Sequence, residues 1–568
     1  MQSRRNFIGT GLGIMSAMAL RSKGMATPRL GINCVDTGAA TYDASCPQQR
    51  VLFTPNNSMV DGLPFAHWYT GDDFPGLDHP MPNPDCFAGN PPPISETIDV
   101  AVIGGGISGL TSAYLLREHN PVIFEMHNQF GGAARGEVWN GVPYSLGNAY
   151  VITPDPGTFL QSFYQELGMN DAVRVDTSDA PVELHGSVLP GFFDGEGVSW
   201  NLAQAIAKYR EVVSQMANVD YPVIPLVGGS EDEWVFELDQ KTLKQDIEER
   251  MAMPIPDELA AAIQAYCYSS FAAGWEEISA ASGWNFLAAE EFGRWVCPGG
   301  NSFMALQMWK ALKQLDDNVP ESCRPYHIRG GCRVVDVRPL AGPGNKTQVT
   351  WVGADGRCRA LAARKVVMAC SKILCREVIH HLSDADSAKY EAIDRLAYRG
   401  YLVANVLLKS PIKRDFYDIF LLGDGIYPMN QESAQDDRFV CDVLHGNYNA
   451  GPLHAGESNV LTLYWPLPFD FGKWTLLHEA NWDNYSQMLA PQVKRILKLL
   501  DVKTSAVRQV RMTRWGHAMP ISAPNLIADG TCSDLRKPID DRLYFVQQDN
   551  WAMPAVENCL IDAKEFTD

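Results

Sequence analysis

The pattern of hydrophobic and polar positions changes near residue 97. Residues 27–96 are rich in Pro, Asn, Asp and Gly, which predicts an N-terminal extension laid over the surface rather than an independent domain. From Thr97 the pattern becomes β-like. The run VAVIGGG (residues 100–106) is apolar up to its glycines, as expected of a strand buried in a parallel sheet. The folded core is therefore predicted to begin with this strand.

Two further changes divide the rest of the chain. Between residues 156 and 320, several segments carry apolar residues every three or four positions, which predicts amphipathic helices. Residues 330–372 return to a β pattern with a turn at residues 354–356, and YLVANVLLK and NVLTLYWPL predict later strands. A chain of 568 residues with this order of elements predicts an α/β protein with interleaved domains.

The first 26 residues predict a signal peptide. Arg4 and Arg5 precede Phe7 and an apolar run that ends at Leu20, which is too short to span a bilayer. Small residues follow, as they do at cleavage sites. The segment resembles a twin-arginine export signal. We therefore expect a periplasmic protein with no transmembrane segment after signal removal.

Charge and cysteine content narrow the range of partners. The net charge of −20 and the absence of a basic stripe argue against nucleic acid. The 13 cysteines are scattered without the spacing of a metal site, so no metal is expected. Cys34, Cys46 and Cys86 lie in the N-terminal extension, where a disulfide could form after export, and the other cysteines are expected to be buried thiols.

The glycines after the first strand predict a dinucleotide site. Gly104 permits a tight turn, Gly106 lets the backbone approach a pyrophosphate, and Gly109 lets the helix pack on the strand. Ser108 lies at the N-terminus of that helix, where N–H groups favour negative charge. Glu125 ends the second strand, PVIFE, in the position that accepts ribose hydroxyls. The motif alone does not distinguish NAD from FAD.

A second glycine motif follows Glu125. The stretch FGGAARGEVWNGVPYSLGNAY contains Gly131, Gly132 and Arg135, and then Gly147 and Asn148. It resembles the second fingerprint of the flavin-containing amine oxidase superfamily, which also includes phytoene desaturases, and MHNQFGGAAR is locally similar to bacterial spermidine dehydrogenases. The resemblance implies FAD, with the glycine pair and arginine at its diphosphate and residues 145–150 beneath the flavin.

The resemblance extends along most of the chain and implies further FAD contacts. Val334 and Val335 would lie against adenine, Asp549 would bind the ribityl chain, and the helix from Val556 would point its N-terminus at the flavin. The implied organisation interleaves an FAD-binding domain with a substrate domain of mixed sheet and helices. FAD-binding parts are 97–155, 296–400 and 511–568, and substrate parts are 156–295 and 401–510.

The implied reaction is oxidation of an amine, possibly a polyamine, by hydride transfer from its α-carbon to flavin N5. Aromatic side chains near the ring would orient the substrate, and the candidates are Trp515, His517, Trp551 and Tyr150. His517 could also transfer a proton. A packing role stays open for each of the four. Glu276 and Glu277 could attract a distal ammonium group, although a solvated helix face is the stronger interpretation of that pair.

Two questions stay open at this stage. The strand from Tyr401 has no lysine before Lys409, whereas relatives that use O₂ carry a lysine near N5, so a periplasmic electron acceptor is favoured over O₂. The alternatives to an amine-oxidising enzyme are an FAD-dependent desaturase or isomerase of an apolar substrate, and a non-catalytic binding protein of the same fold.

Overall fold

The computed structural model describes residues 35–51, 58–72, 91–227, 232–341, 344–422, 440–451 and 456–568. The predicted signal peptide, residues 1–26, lies outside these ranges. None of the helices within them combines the length and apolar character needed to cross a bilayer. Strands from distant parts of the chain form two large sheets, which agrees with the predicted α/β class.

The first large sheet is built around the strand that carries the glycine motif. Ile94–Ile103 is parallel to Val122–Phe124 on one side and to Cys358–Met368 on the other, with Val102 beside Ile123 and Val367. The carboxyl halves of these strands are apolar and buried, as expected at the centre of a parallel sheet. The remaining strands of this sheet are Ile328–Arg329, Arg333–Pro339, Thr347–Val352 and Leu543–Phe545.

The second large sheet contains both parallel and antiparallel strand pairs. Its centre is Tyr398–Leu408, buried along its whole length between Asn459–Leu467 and Val507–Pro520. The helix Asn481–Leu499 packs its apolar face against this sheet. The sheet's other strands are Ser58–Val60, Leu63–Phe65, Tyr69–Thr70, Val182–Leu184, Ser187–Leu189, Asp418–Leu421 and Asp442–His445.

Two small sheets and a set of helices complete the described chain. The small sheets comprise Gln48–Arg50, Gly136–Trp139 and Val142–Ser145, and Val151–Ile152, Arg174–Asp176 and Arg294–Val296. The α-helices are Tyr42–Ser45, Ile107–Leu115, Phe159–Glu166, Trp200–Asn218, Glu233–Asp239, Leu243–Met251, Asp257–Phe271, Ala280–Leu287, Ser302–Asp316, Lys372–Val378, Leu382–Ala385, Ser387–Asp394, Gly472–Thr475, Asn481–Leu499, Thr531–Arg536 and Val556–Thr567. Short 3₁₀ turns are Arg117–His119, Gly132–Ala134, Phe192–Asp194, Ala288–Phe292, Glu321–Cys323, Tyr448–Ala450, Thr504–Ala506 and Gln548–Trp551.

The described parts of the N-terminal extension correct one prediction. They do not merely cover the surface, because Leu63–Phe65 and Tyr69–Thr70 join the second large sheet by pairing with Val507–Pro520. Phe65 is fully buried, and Trp68 is nearly so. Burial of these apolar side chains outweighs the turn-forming composition around them.

The sheets also differ from the predicted segments at three edges. The first strand begins at Ile94 rather than at 97. Tyr398–Leu408 starts inside the predicted second FAD-binding part, and Val507–Pro520 reaches into the predicted third part, although both strands belong to the second large sheet. Long strands cross these predicted boundaries because pairing with a neighbour, not a local composition change, determines where a strand ends.

Cysteine pairing also differs from the expectation. Cys323 and Cys358 each take part in a disulfide bond, whereas the sequence predicts a free thiol at both positions. Cys46, which was a candidate for a disulfide, is a free thiol. The other two candidates, Cys34 and Cys86, lie outside the described residues.

Candidate active site

A cavity of about 750 Å³ opens at the carboxyl ends of the parallel strands of the first sheet. This edge is where α/β sheets bind nucleotides, because helix N-termini and strand-ending loops meet there. Its walls come from segments far apart in sequence, including the glycine motif, residues 124–127, 131–135, 332–338, 369–371 and 547–549. The cavity therefore exists only when the interleaved parts of the chain assemble.

The first glycine motif leaves one side of this cavity open. Gly104 has φ +111°, and a Cβ there would lie 2.5 Å from the Ala369 carbonyl oxygen. A Cβ on Gly109 would lie 1.8 Å from the Gly104 carbonyl oxygen, so this glycine lets the helix approach the strand. At Gly106 the nearest described atom to an added Cβ is the Gly132 Cα at 3.7 Å, so the side chain would enter the cavity. Gly109 itself does not line the cavity.

The helix Ile107–Leu115 begins at this edge without a side-chain cap. Its N-cap is Gly106, whose missing side chain leaves the first N–H groups for another acceptor. Ser108 lines the cavity in the first turn. Such an N-terminus favours a phosphate group by hydrogen bonding and by its dipole.

Glu125 and the valine pair lie on the same cavity wall. The Glu125 carboxylate accepts hydrogen bonds from the backbone N–H groups of Gly105 at 2.8 Å and His127 at 2.9 Å, which fixes its orientation. Val334 and Val335 also line the cavity. A buried acid beside an apolar strand suits a ribose next to an adenine ring.

Arg135 lies on the wall next to the glycine pair. Its Nε donates to the Gly132 carbonyl oxygen at 3.0 Å and its Nη1 to the Tyr69 hydroxyl at 2.8 Å, so the guanidinium is held beside the Gly131–Gly132 turn. Its carbon Cζ lies 5.5 Å from the Trp515 ring centre. The side chain is almost fully buried, which suits an anion at this place.

Three polar side chains mark the other end of the cavity. Asp549 accepts hydrogen bonds at Oδ2 from the Tyr398 hydroxyl and from the Lys372 N–H, and burial raises the pKa of its carboxyl group. Asn148 Oδ1 and Gln547 Nε2 are buried without a hydrogen-bond partner in the described chain. Unpartnered buried polar atoms are costly unless a ligand satisfies them.

These residues fit FAD. The glycine-rich turns, the uncapped N-terminus of the helix Ile107–Leu115 and the buried Arg135 suit a diphosphate group. The polar atoms that have no partner within the described chain suit the hydroxyl groups of the ribose and ribityl parts. The residues that would hold it are Gly104, Gly106, Ser108, Glu125, Gly131, Gly132, Arg135, Asn148, Val334, Val335, Asp549 and Val556, all of which line the cavity. Gly147 lines a neighbouring cavity instead.

The neighbouring cavity, of about 190 Å³, adjoins the first through shared walls. The two have Ala133, Asn148, Trp515, Ala518, Gln548, Ala555 and Val556 in common. Val556 begins the helix Val556–Thr567, which also has no side-chain cap, so the helix N-terminus lies at the junction. We call this second space the substrate cavity.

Aromatic rings and buried carboxyl groups line the substrate cavity. Its aromatic side chains are Tyr150, Tyr221, Tyr266, Phe286, Tyr401, Tyr417, Phe420, Tyr464 and Trp515. Asp442 is 4% exposed, and its Oδ2 accepts a hydrogen bond from the Ser269 hydroxyl at 3.0 Å. Its Oδ1 has no hydrogen-bond partner among the described residues. Burial and the nearby Asp418 raise the pKa of Asp442 well above its ordinary value.

One guanidinium serves several acids at this cavity. Arg294 donates to Asp418 at 2.7 Å and to Asp176, and its Nε lies 3.4 Å from Glu290. Its Cζ lies 4.8 Å from the centre of the Tyr417 ring. Because this one cation is shared by three carboxyl groups, Asp442 is left without a paired cation in the described chain.

We expect Arg294→Ala to destabilise the protein strongly. The change would leave buried carboxyl groups without their cation, and breaking such a buried pair costs about 3–5 kcal/mol. Urea unfolding followed by tryptophan fluorescence would measure the loss. The control is Arg364→Ala, which removes an ion pair with Asp99 in which the two side chains are 66% and 58% exposed, and such a pair is worth about 1 kcal/mol or less. Equal losses in both variants would contradict the central role of Arg294.

The four predicted substrate residues occupy different places. Trp515 lines both cavities and donates from Nε1 to the Leu146 carbonyl oxygen at 3.0 Å. His517 lines only the first cavity, with its ring 5.7 Å from that of Tyr398. Tyr150 lines the substrate cavity, where its hydroxyl donates to Glu290 at 2.7 Å. The structure thus brings Trp515, His517 and Tyr150 to the cavities.

Trp551 is placed differently from the prediction. It lines neither cavity and is almost fully buried. Its Nε1 donates to Asp562 at 3.2 Å, and the Arg536 guanidinium lies 4.5 Å from its ring. The hydrogen bond and the guanidinium contact hold the Trp551 ring in the protein interior. Trp551 therefore packs in the core and does not face either cavity.

Sequence reasoning missed most of the substrate cavity. Asp418 and Asp442 begin two short strands, DIFL and DVLH, and a buried acid in an apolar strand is the signal that could have identified them. Asp72, from the N-terminal extension, also lines the first cavity and accepts the Gly516 N–H at 3.0 Å. Glu276 and Glu277 line neither cavity.

Comparison with known proteins agrees with this arrangement. Residues 102–167 match the model of an NAD(P)-binding Rossmann-like domain. Putrescine oxidase bound to putrescine superposes with a TM-score of 0.58 at 14% identity, over 83% of this chain and 98% of that one. Cyclohexylamine oxidase from Brevibacterium oxydans gives a TM-score of 0.55 at 14% identity, over 83% of this chain and all of that one. The chain has the amine oxidase fold.

Two curated proteins also match the sequence. Oxidoreductase PigB of Serratia sp. is 20% identical over 547 residues, which is 86% of this chain and 77% of that protein. Coproporphyrinogen III oxidase of Mycobacterium tuberculosis is 36% identical over 86 residues, or 14% of this chain and 19% of that protein. The prediction of an amine oxidase-type fold is confirmed, and the likenesses are to oxidoreductases.

Proposed function

We propose that this protein is an FAD-dependent enzyme that oxidises an amine carrying a second cationic nitrogen, such as a diamine or polyamine. When bound, FAD supplies the hydride acceptor for such an oxidation. The protein's own contribution is to place the amine in the substrate cavity, to exclude water, and to hold the distal ammonium group.

Asp442 is the observation that carries the proposal. Its Oδ1 is buried without a hydrogen-bond partner in the described chain, in a cavity where Arg294 already serves other acids. An ammonium group beside it would lower the pKa of its carboxyl group and form a charge-assisted hydrogen bond. Asp442 lines the substrate cavity and not the first cavity, so the proposal places the distal nitrogen beside Asp442 and the reacting nitrogen toward the junction with the first cavity.

The cavity walls suit an aliphatic chain between the two nitrogens. The space of about 190 Å³ exceeds the roughly 150 Å³ that encloses a benzene molecule. Tyr401, Tyr464 and Trp515 form a common apolar cluster on the wall. Aromatic faces favour both methylene groups and cations.

Electron transfer to an external acceptor, rather than to O₂, is part of the proposal. The cavities have no lysine among their described lining residues, which supports the expectation drawn from the strand at Tyr401. We propose a small periplasmic carrier as acceptor. Export rests on the twin-arginine pattern at Arg4 and Arg5, and the disulfide-bonded Cys323 and Cys358 are typical of an oxidising compartment.

The alternatives have less support. A desaturase of an apolar substrate has no use for the buried acids Asp418 and Asp442 in its substrate cavity. A binding protein without a cofactor has no use for the glycine cradle and the buried Arg135.

An anaerobic spectrum tests the proposed function. The purified protein should be yellow, and putrescine or spermidine should bleach it, whereas butylamine, which lacks the second nitrogen, should bleach it much more slowly. Admitting air should restore the colour slowly. A yellow protein that no amine bleaches would overturn the proposed reaction, and rapid recolouring in air would overturn the proposed acceptor.

A further inference from the structure

A bulge in the strand Val507–Pro520 shapes the wall that the two cavities share. Its three residues 516–518 lie opposite the single residue Gly400 of the neighbouring strand. Extra residues in one strand interrupt the ladder of backbone hydrogen bonds and turn the adjacent side chains in new directions. Trp515, just before the bulge, lines both cavities, and His517, within it, lines the first. The form of this bulge therefore decides which side chains reach the cavities.

The carboxylate of Asp72 accepts hydrogen bonds from two N–H groups of the bulge. The Gly516 N–H donates to its Oδ1 at 3.0 Å, and the His517 N–H donates to its Oδ2 at 2.5 Å. A side chain supplies these acceptors because the backbone pairing of Tyr69–Thr70 with this strand reaches only to Arg514. Charge-assisted bonds to both oxygens fix the two peptide groups relative to each other.

The residues just before this carboxylate contact the same wall. A Cβ on Gly71 would lie 2.5 Å from the nearest ring atom of Trp515, so the extension lies directly against the indole and only a glycine fits there. The Tyr69 hydroxyl accepts a hydrogen bond from the buried Arg135 at 2.8 Å. Residues 69–72 thus contact the wall at several points, although they belong to the N-terminal extension.

We propose that Asp72 is a positioning residue of the active site. Its carboxylate holds the bulge at 516–518 in the form that turns Trp515 and His517 toward the cavities. Asp72 acts through backbone N–H groups, so this role requires no contact with a substrate. The proposal rests on the proposed cofactor, FAD, but not on which amine is oxidised.

Loss of the carboxylate would release this part of the wall. Gly516 is buried, and a buried backbone N–H group needs an acceptor. Without Asp72 the backbone at 516–518 must rearrange to find other acceptors, and the adjoining Trp515 ring moves with it. Small displacements of positioning groups slow a reaction strongly. The rate and the cofactor site should therefore both respond to a change at Asp72.

Flavin binding and spectra of full-length variants test the proposal. In Asp72→Ala, the Kd for FAD, titrated into protein stripped of flavin, should rise by roughly 10-fold because two N–H groups lose their acceptor. The visible absorbance bands of the bound flavin should also shift. Asp72→Asn keeps one acceptor oxygen, so its Kd and its spectrum should lie between those of the wild type and Asp72→Ala.

Steady-state kinetics separate positioning from substrate binding. With a diamine that bleaches the wild type, Asp72→Ala should lower kcat by roughly 10- to 100-fold, because the wall beside the reacting nitrogen is displaced. The KM should change little, since Asp442 and its cavity wall stay in place. A merely structural role would lower stability without this division between kcat and KM.

Asp61→Asn is the matched control. Asp61 belongs to the same extension and pairs with Lys494 at 2.7 Å, but it lines neither cavity. Its φ of +47° is one that asparagine tolerates. This variant should match the wild type in Kd, spectrum and kcat. A response in Asp61→Asn as large as that in Asp72→Ala would overturn the proposal, because any disturbance of the extension would then suffice.

The other outcomes are equally decisive. A folded Asp72→Ala with the flavin spectrum, Kd and kcat of the wild type would overturn the proposal. If Asp72→Ala does not fold, the same result in Asp72→Asn would overturn it. A wild type that no amine bleaches overturns the proposed function alone, because the Kd and the spectrum still test Asp72 without any amine.

Discussion

Replacing Gly109 by alanine is expected to weaken FAD binding strongly. The added Cβ would lie 1.8 Å from the Gly104 carbonyl oxygen, so the helix Ile107–Leu115 must move away from its strand. That movement displaces the helix N-terminus that would face the diphosphate. Overpacking of this kind costs about 1–3 kcal/mol, so we expect the Kd for FAD to rise by roughly 10- to 100-fold. Flavin absorbance per protein after gel filtration measures the loss directly.

The control for this prediction is Gly456→Ala. A Cβ at Gly456 meets nothing within 4 Å, and its backbone does not have the left-handed φ that resists a side chain. This variant should keep its flavin and its thermal stability. If Gly109→Ala also kept its full flavin content, the contact between this helix and strand would not determine cofactor binding.

Replacing Asp442 by asparagine is expected to raise the KM for a diamine by roughly 10- to 100-fold, because a hydrogen bond to a charged group is worth about 1.5–3 kcal/mol. The amide keeps the shape of the side chain and its contact with Ser269, but it cannot supply the negative charge. The KM for butylamine should change little, since a monoamine has no second ammonium group. Steady-state kinetics with an artificial electron acceptor give both values.

The matched control is Ser269→Ala, which removes the hydroxyl that donates to Asp442 but leaves the carboxyl group in place. It should shift the diamine KM far less than Asp442→Asn does. Equal losses for diamine and monoamine in Asp442→Asn would mean that the variant has damaged the cavity as a whole. That result would remove Asp442 as the site of the distal cation.

Local sequence patterns were sufficient for the nucleotide-binding half. Gly104, Gly106, Gly109 and Glu125 lie within 22 residues of one another, and each is required by a short-range geometry: a tight turn, a close approach or a strand end. Such requirements leave a mark in the sequence because few residue types satisfy them. The long helices were predictable for the same reason, as Trp200–Asn218 and Ser302–Asp316 follow their apolar periods.

The substrate cavity could not be predicted in this way. Tyr150, Arg294, Asp418 and Asp442 come from four separate segments, and pairing of distant strands brings them together. The sequence leaves a packing role open for both Trp515 and Trp551, and only the folded chain shows which ring reaches a cavity. A buried acid is functional or structural according to the partners that folding gives it.

The sequence by itself therefore determined the strand–glycine–helix unit and the α/β class. It also carried the resemblance to a family that binds FAD. The tertiary structure alone decided two things: that the N-terminal extension joins the second sheet, and that Asp442 is left without a paired cation among the described residues. The physical reason is the distance along the chain between the residues that interact. Backbone conformation is encoded by neighbouring residues, whereas charge balance and burial depend on the long-range contacts that only the assembled fold creates.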